Sequence, residues 1–226
     1  MRPVHAALFL LALLFALPAS GADARFHYLD PHRVDLTVLL PPPPDLDSPE
    51  QRADQDQVAA AVAARSPRQF LYAQEEGKRT VFVYARSVGP GFTPERLPQT
   101  ARFFDRIGSD VAQLVDLAKV YWARPRPNGA SRKRGSYPSG HAAFAAASAI
   151  VLAQLLPDKR DAIFTQARLF AENRILLGLH YPTDIASGWT AGTLAAAYMM
   201  GDPLFRRDFA AARSELHLAD LSTPPK

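Results

Sequence analysis

Residues 135–156 read GSYPSGHAAFAAASAIVLAQLL, and the fold follows from how this stretch is taken. Ser139 is a suitable helix N-cap, Gly140 lets another group approach the backbone closely, and a long alanine-rich apolar run follows. A helix over Ser139–Leu156 that is apolar on every side has to lie at the centre of other helices. His141 would project from its first turn, where backbone N–H groups without intrahelical partners gather and anions bind. The stretch therefore predicts a buried central helix and an anion at its start.

The flanking sequence supplies the surrounding helices. Ser48-Pro-Glu-Gln51 combines an N-cap serine, a proline at the first helical position and a glutamine at the third, which predicts a helix to about Arg65. Ser66-Pro67 starts a short second helix through Glu76, stopped by Gly77. Residues 78–92, with a brief β-like run Thr80-Val-Phe-Val-Tyr84 and then Gly89-Pro-Gly91, read as loop. Thr93-Pro-Glu95 caps a third helical region that Pro98 interrupts early. Its apolar positions Phe103, Phe104, Ile107, Val111, Leu114, Val115 and Leu117 keep helical spacing up to Lys119. Asp158–Leu177, Pro182–Met200 and an amphipathic Phe205–Leu218 complete an all-α, single-domain bundle, with no convincing strand and no internal repeat. Ala142–Leu156 and Ile185–Met200 are nearly uniformly apolar, but each falls short of the roughly 20 residues a membrane span needs. A soluble bundle without stable membrane insertion is the expectation.

The first residues read as a leader. Residues 1–24 pair a basic end (Arg2, His5) with an apolar core from Ala6 to Leu17 and close on small residues, either Ala19-Ser-Gly21 or Ala22-Asp-Ala24. That is the layout of a secretory signal peptide, which predicts a periplasmic or secreted domain over residues 25–226. Behind it, Leu39-Leu40 and Pro41 to Pro44 predict an extended polyproline stretch. The chain of 226 residues has no cysteine, so disulfides, thiolate metal sites and a cysteine nucleophile are excluded. Its net charge of +4 is too mild and too dispersed for a nucleic-acid binder and suits small acidic substrates.

Three clusters carry chemistry. In Lys119-Val-Tyr-Trp-Ala-Arg-Pro-Arg126-Pro127, the seven-residue spacing of Lys119 and Arg126 is about two turns and would place them on one helix face. Ser139-Gly140-His141 opens the central helix. In Arg174-Ile-Leu-Leu-Gly-Leu-His180-Tyr-Pro-Thr-Asp184, a helix ends at Gly178 and another begins at Pro182. Asp184 is placed there to accept an imidazole N–H of His180. Taken singly, each cluster has a plainer account: a cationic helix C-terminus, a capped helix with an incidental histidine, a satisfied histidine at a junction. Together they assemble three cations, a helix N-terminus and two histidines, which is the inventory of a phosphoryl-transfer site. Arg126 and Arg174 can grip phosphate oxygens in fork geometry, and Lys119 supplies a point charge. The Ser139 hydroxyl and the N–H groups of Ser139 and Gly140 can take the remaining charge.

The pattern Lys-x6-Arg-Pro, Pro-Ser-Gly-His and Arg-x5-His-x3-Asp resembles the three-part signature of the type 2 phosphatidic acid phosphatase (PAP2) superfamily, which includes the vanadium haloperoxidases. Within it the chain is most similar to exported bacterial class A non-specific acid phosphatases, through the leader, Leu-Leu-Pro-Pro-Pro-Pro at 39–44, Asp116-Leu-Ala-Lys119 with Tyr121, and GSYPSGH. The resemblance implies an acid phosphatase that needs no cofactor and no metal. His180 would form a phosphohistidine, Asp184 would orient it, and His141 would protonate the leaving oxygen. Lys119, Arg126, Ser139, Gly140 and Arg174 would bind the phosphoryl group, and small phosphomonoesters would be the substrates. Two departures stand out. Asn173 occupies a position where the family has serine, and only ten residues separate Pro127 from Pro138, without the family's cysteine-containing segment. That loop would border the site and bear on substrate range.

Other readings use the same residues. A vanadium-dependent haloperoxidase would bind vanadate on His180, a membrane lipid phosphatase would take lipid substrates, and a phosphate-binding protein would bind without turnover. The last has no evident need for His141 or for the His180–Asp184 pair. Tyr121, Trp122 and Tyr137 read as packing more readily than as a stacking platform, and apolar helices leave room for a homo-oligomer.

Overall fold

The computed structural model describes residues 26–129 and 135–223 and is helical throughout. Residues 1–24, read from the sequence as a leader, and part of the 128–137 loop lie outside the described residues. In chain order the helices are α1 (Leu36–Leu39), α2 (Pro49–Ala64), α3 (Pro67–Glu75), α4 (Ala85–Val88), α5 (Pro98–Trp122), α6 (Gly140–Leu155), α7 (Arg160–Leu176), α8 (Pro182–Met199) and α9 (Pro203–Leu218).

Helix α6 sits at the centre, packed by α5, α7 and α8, with α9 laid along α5. Almost every α6 side chain is buried, which is why its apolar character runs around the whole helix. Small side chains let the neighbours come close. On α8 the close approach is made at two glycines: a Cβ on Gly188 would lie 2.4 Å from Ser139 O, and one on Gly192 would lie 2.1 Å from Ala143 O. The α8 backbone therefore rests on the first turn of α6 and fixes its position relative to His180. Gly192→Ala must push the two helices apart. It is expected to cost about 1–3 kcal/mol, or roughly 2–12 °C of melting temperature at ~2–4 °C per kcal/mol. A thermal melt followed by circular dichroism checks this, and an unchanged midpoint would show that the helices separate freely.

Local signals placed most helix starts where the structure has them. Ser48 and Ser66 cap α2 and α3, the latter with a full capping box through Gln69, and Ser139 caps α6. Three boundaries differ. Pro98 does not interrupt a helix but begins α5, where its missing N–H removes no intrahelical bond. The next donors, Gln99 N and Thr100 N, are capped at 2.9 and 2.7 Å by Glu215 of α9, a partner 115 or more residues away. Residues 78–92 are not plain loop: Thr80 caps a 3-10 turn over Val81–Tyr84 that runs into α4. Helix α7 starts at Arg160, behind a 3-10 turn over Pro157–Lys159. Among the described residues no helix is long and apolar enough to cross a membrane.

Candidate active site

The end of α7 and the start of α8 meet at a corner that Gly178 permits, with φ at +66°. His180 lies in this corner, 3% exposed. Its Nδ1 is 3.3 Å from Asp184 Oδ2, and the same carboxylate oxygen accepts the Tyr181 N–H at 2.9 Å. A proton on Nδ1 leaves a lone pair on Nε2, which faces Arg126 Nη1 at 3.2 Å. Burial pushes the His180 imidazole down to about 4, against the opposing pull of Asp184, and Lys119 and Arg126 add to the depression. Burial also works against the charge on Asp184, but the bond from His180 and the nearby Arg124 hold its carboxyl below the usual range.

The three predicted cations converge on this corner. Lys119 Nζ donates to Gly135 O and Ser136 O at 2.8 and 3.0 Å. Arg126 Nη1 also donates to Leu179 O at 2.8 Å, and its Nη2 lies 3.4 Å from Gly135 O. The two do not share a helix face as their spacing suggested. Helix α5 stops at Trp122, Ala123 turns left-handed at φ 46°, and beyond that turn Arg126 comes back to Lys119, so that both reach Gly135 O. Arg174, 4% exposed, ends α7 with a buried Nε that has no partner. Among the described residues none of the three cations pairs with a carboxylate. Burial, reinforced by Arg126, pushes the Lys119 ammonium down to about 7 and the Arg174 guanidinium to about 10.

At the start of α6 the cap geometry is partly as predicted. Ser139 Oγ accepts the Ala142 N–H at 3.3 Å, but the Ser139 N–H is already given to Asp184 O at 2.9 Å. The backbone donors left for an anion are those of Gly140 and His141, because α8 packs its backbone against the cap. His141 Nε2 lies 3.0 Å from Gly77 O, so the neutral ring carries its proton on Nε2 and its lone pair on Nδ1. Burial pushes His141 down to about 3, helped by Arg174.

Several supporting residues were not singled out from the sequence. Arg124 is buried and reaches four acceptors: Thr183 Oγ1 at 2.8 Å, Asp184 Oδ1 at 2.6 Å, Gln51 Oε1 at 2.6 Å and Asp54 Oδ2 at 2.7 Å. It also lies 4.2 Å over the Tyr181 ring. Glu76 accepts from Tyr72, Gln166 and Asn173 at 2.5, 2.7 and 3.2 Å. Asn173 thus ties α7 to α3, beside the Gly77 carbonyl that holds His141. Tyr137 and Trp122 are packing residues, edge to face at 4.9 Å, whereas Tyr121 is exposed. No three His, Asp or Glu side chains among the described residues are grouped to hold a metal ion.

What the arrangement can do is hold a tetrahedral oxyanion against the Nε2 of a neutral histidine, with a second histidine beside it. Residues 107–208, which include every candidate residue, match the PAP2 superfamily model. The chain is 30% identical over 220 residues to an acid phosphatase of Zymomonas mobilis, covering 90% of this chain and 82% of that protein. It is 28% identical over 230 residues to a non-specific acid phosphatase of Salmonella typhi, covering 93% and 91%. In fold it is similar to the crystal structure of a transmembrane PAP2 type phosphatidylglycerolphosphate phosphatase from Bacillus subtilis. There the TM-score is 0.50 at 22% identity, over 69% of this chain and 87% of that one.

Proposed function

The chain belongs to the PAP2 superfamily as a class A-type acid phosphatase, a phosphoric monoester hydrolase, and we propose that it works without a metal through a phosphohistidine on His180. The observation that carries this reading is the set of three cations at the His180 corner, buried Lys119 and Arg174 and half-buried Arg126, which among the described residues have no carboxylate partner. An uncompensated buried charge costs several kcal/mol, which a bound phosphate repays. The same cations supply the charge stabilisation that a metal would otherwise bring.

Phosphate oxygens displace the Arg126 contact from His180 Nε2 and take hydrogen bonds from Arg126, Arg174, Lys119, the Ser139 hydroxyl and the Gly140 N–H. The Nε2 lone pair then attacks phosphorus. The P–O bond to the alcohol breaks, and the leaving oxygen takes the proton of His141. His141 is neutral in the free enzyme, its single proton on Nε2. The negative charge of the bound substrate raises its proton affinity, and Nδ1 takes up a proton from the monoanionic substrate or solvent. This Nδ1 proton is the one the leaving oxygen receives. In the second step His141 accepts a proton from water, the oxygen attacks phosphorus, and the P–N bond breaks, returning the electron pair to His180.

The pH dependence follows from two signs. His180 loses its lone pair as pH falls through about 4, and Lys119 loses its charge as pH rises through about 7. For p-nitrophenyl phosphate in excess EDTA, kcat/KM should therefore form a bell with its maximum at about pH 5 to 6. An alkaline optimum, or loss of turnover in EDTA, would overturn the reading.

Export is the second part of the proposal and rests on the leader pattern of residues 1–24. Chain recovered from osmotic-shock fluid should begin at Ala22 or Arg25. Retention of Met1 in a membrane fraction would count against export.

A further inference from the structure

The segment Gly77-Lys-Arg79, between α3 and the 3-10 turn, forms a wall of the site that the family-like signature does not contain. It touches three site residues in succession. The Gly77 carbonyl holds His141 Nε2 at 3.0 Å. The α-carbon of Gly77 faces Arg174, so that a Cβ there would lie 3.8 Å from Arg174 Nη1. Two residues on, Arg79 Nη1 lies 3.3 Å from where a Cβ of Gly140 would stand, and that position is also 3.6 Å from Val115, one turn before Lys119 on α5. The absent side chain at 140 is what admits the guanidinium.

Unlike buried Lys119 and Arg174 and half-buried Arg126, Arg79 is exposed, and among the described residues it makes no ion pair. Its backbone is fixed all the same. Thr80 caps the next turn, whose Val81 and Tyr84 are buried in the core. Its charge is felt inside the site, where it adds to the depression of both Lys119 and His141. This cation therefore stands beside Gly140 and acts on the adjacent His141, the group that in the proposed mechanism serves the leaving oxygen. One phosphoryl group is already met by Lys119, Arg126 and Arg174.

We propose that Arg79 is a specificity residue for the leaving side, favouring phosphomonoesters whose alcohol carries a second anionic group close to the ester oxygen. This rests on the phosphatase reading above. A guanidinium fork matches a carboxylate or a second phosphate, and a neutral alcohol gives it nothing to bind.

The test compares 3-phosphoglycerate with glycerol 1-phosphate, the same skeleton with and without a carboxylate, in the full exported chain. Wild-type enzyme should have the higher kcat/KM for 3-phosphoglycerate. Arg79→Ala should lower the ratio of the two by about tenfold, through KM, the size expected for one charge-assisted hydrogen bond. Arg79→Lys, which keeps the charge, should retain part of the preference, and unchanged melting temperatures would show that both variants fold. An equal fall for both substrates, or no change in the ratio, would overturn the assignment while His180-dependent turnover leaves the phosphatase reading standing. Turnover of neither substrate by the wild type would overturn both.

Discussion

His180→Ala is expected to lower kcat for p-nitrophenyl phosphate by about 10,000-fold or more, the loss seen when a covalent nucleophile is removed from its site. The argument is geometric. Asp184 holds the His180 Nδ1 side, so the Nε2 lone pair is presented among three cations. Lys119 and Arg174 keep their places in the variant, because neither hydrogen-bonds to the imidazole, and Arg126 keeps its bond to Leu179 O. Inorganic phosphate should therefore still inhibit the residual activity, and KM should change far less than kcat. The fold should also survive, since Asp184 remains paired with Arg124 at 2.6 Å. Alkaline quenching of wild-type enzyme mixed with radiolabelled substrate should trap a phosphoenzyme that the variant lacks. Turnover above about 1% of wild type would move the attack to a water activated by His141 and remove His180 from the chemistry.

How far this site could be read from the sequence depends on the range of the interactions. Caps act over three or four residues, so Ser48, Ser66 and Ser139 were legible, and with them α2, α3 and α6. The inventory of Lys119, Arg126, Ser139, Gly140, His141, Arg174, His180 and Asp184 was legible because each group lies in a short motif at a helix end. What failed to show was closure over distance. Pro98 reads as a breaker until Glu215 is seen to cap the next two N–H groups. The Ser139 N–H looks free until α8 is docked at Gly188 and Gly192. Arg79 sits in what reads as loop, and only the packing of α3 against α7 brings it over Gly140. One long-range feature did leave a trace. Gln51, Asp54 and Val58 fall at i, i+3 and i+7 on α2 and are its buried residues, and a glutamine and an aspartate on a core-facing stripe ask for a buried partner.

That partner is Arg124, and Arg124→Ala should be the most destabilising single change at the site. The side chain joins the carboxylates of Asp54 and Asp184, the Gln51 amide and the Thr183 hydroxyl, and its loss leaves two buried carboxylates facing each other without a cation. Breaking a buried pair from one side costs about 3–5 kcal/mol, roughly 6–20 °C of melting temperature for a chain of this size. Arg124→Lys should rescue little, since one ammonium cannot reach α2 and α8 in the same plane as a guanidinium fork does. Activity should fall with stability: Asp184 would lose the bond that leaves its other oxygen free for His180, and its proton affinity would rise. Adding Asp54→Asn to Arg124→Ala removes one of the stranded charges and should recover part of the melting temperature without restoring kcat. A midpoint within about 2 °C of wild type in the single variant would mean that water takes over the role of the guanidinium. If the prediction holds, α2, which supplies no group to the phosphate, is nonetheless what sets the carboxylate that sets the nucleophile.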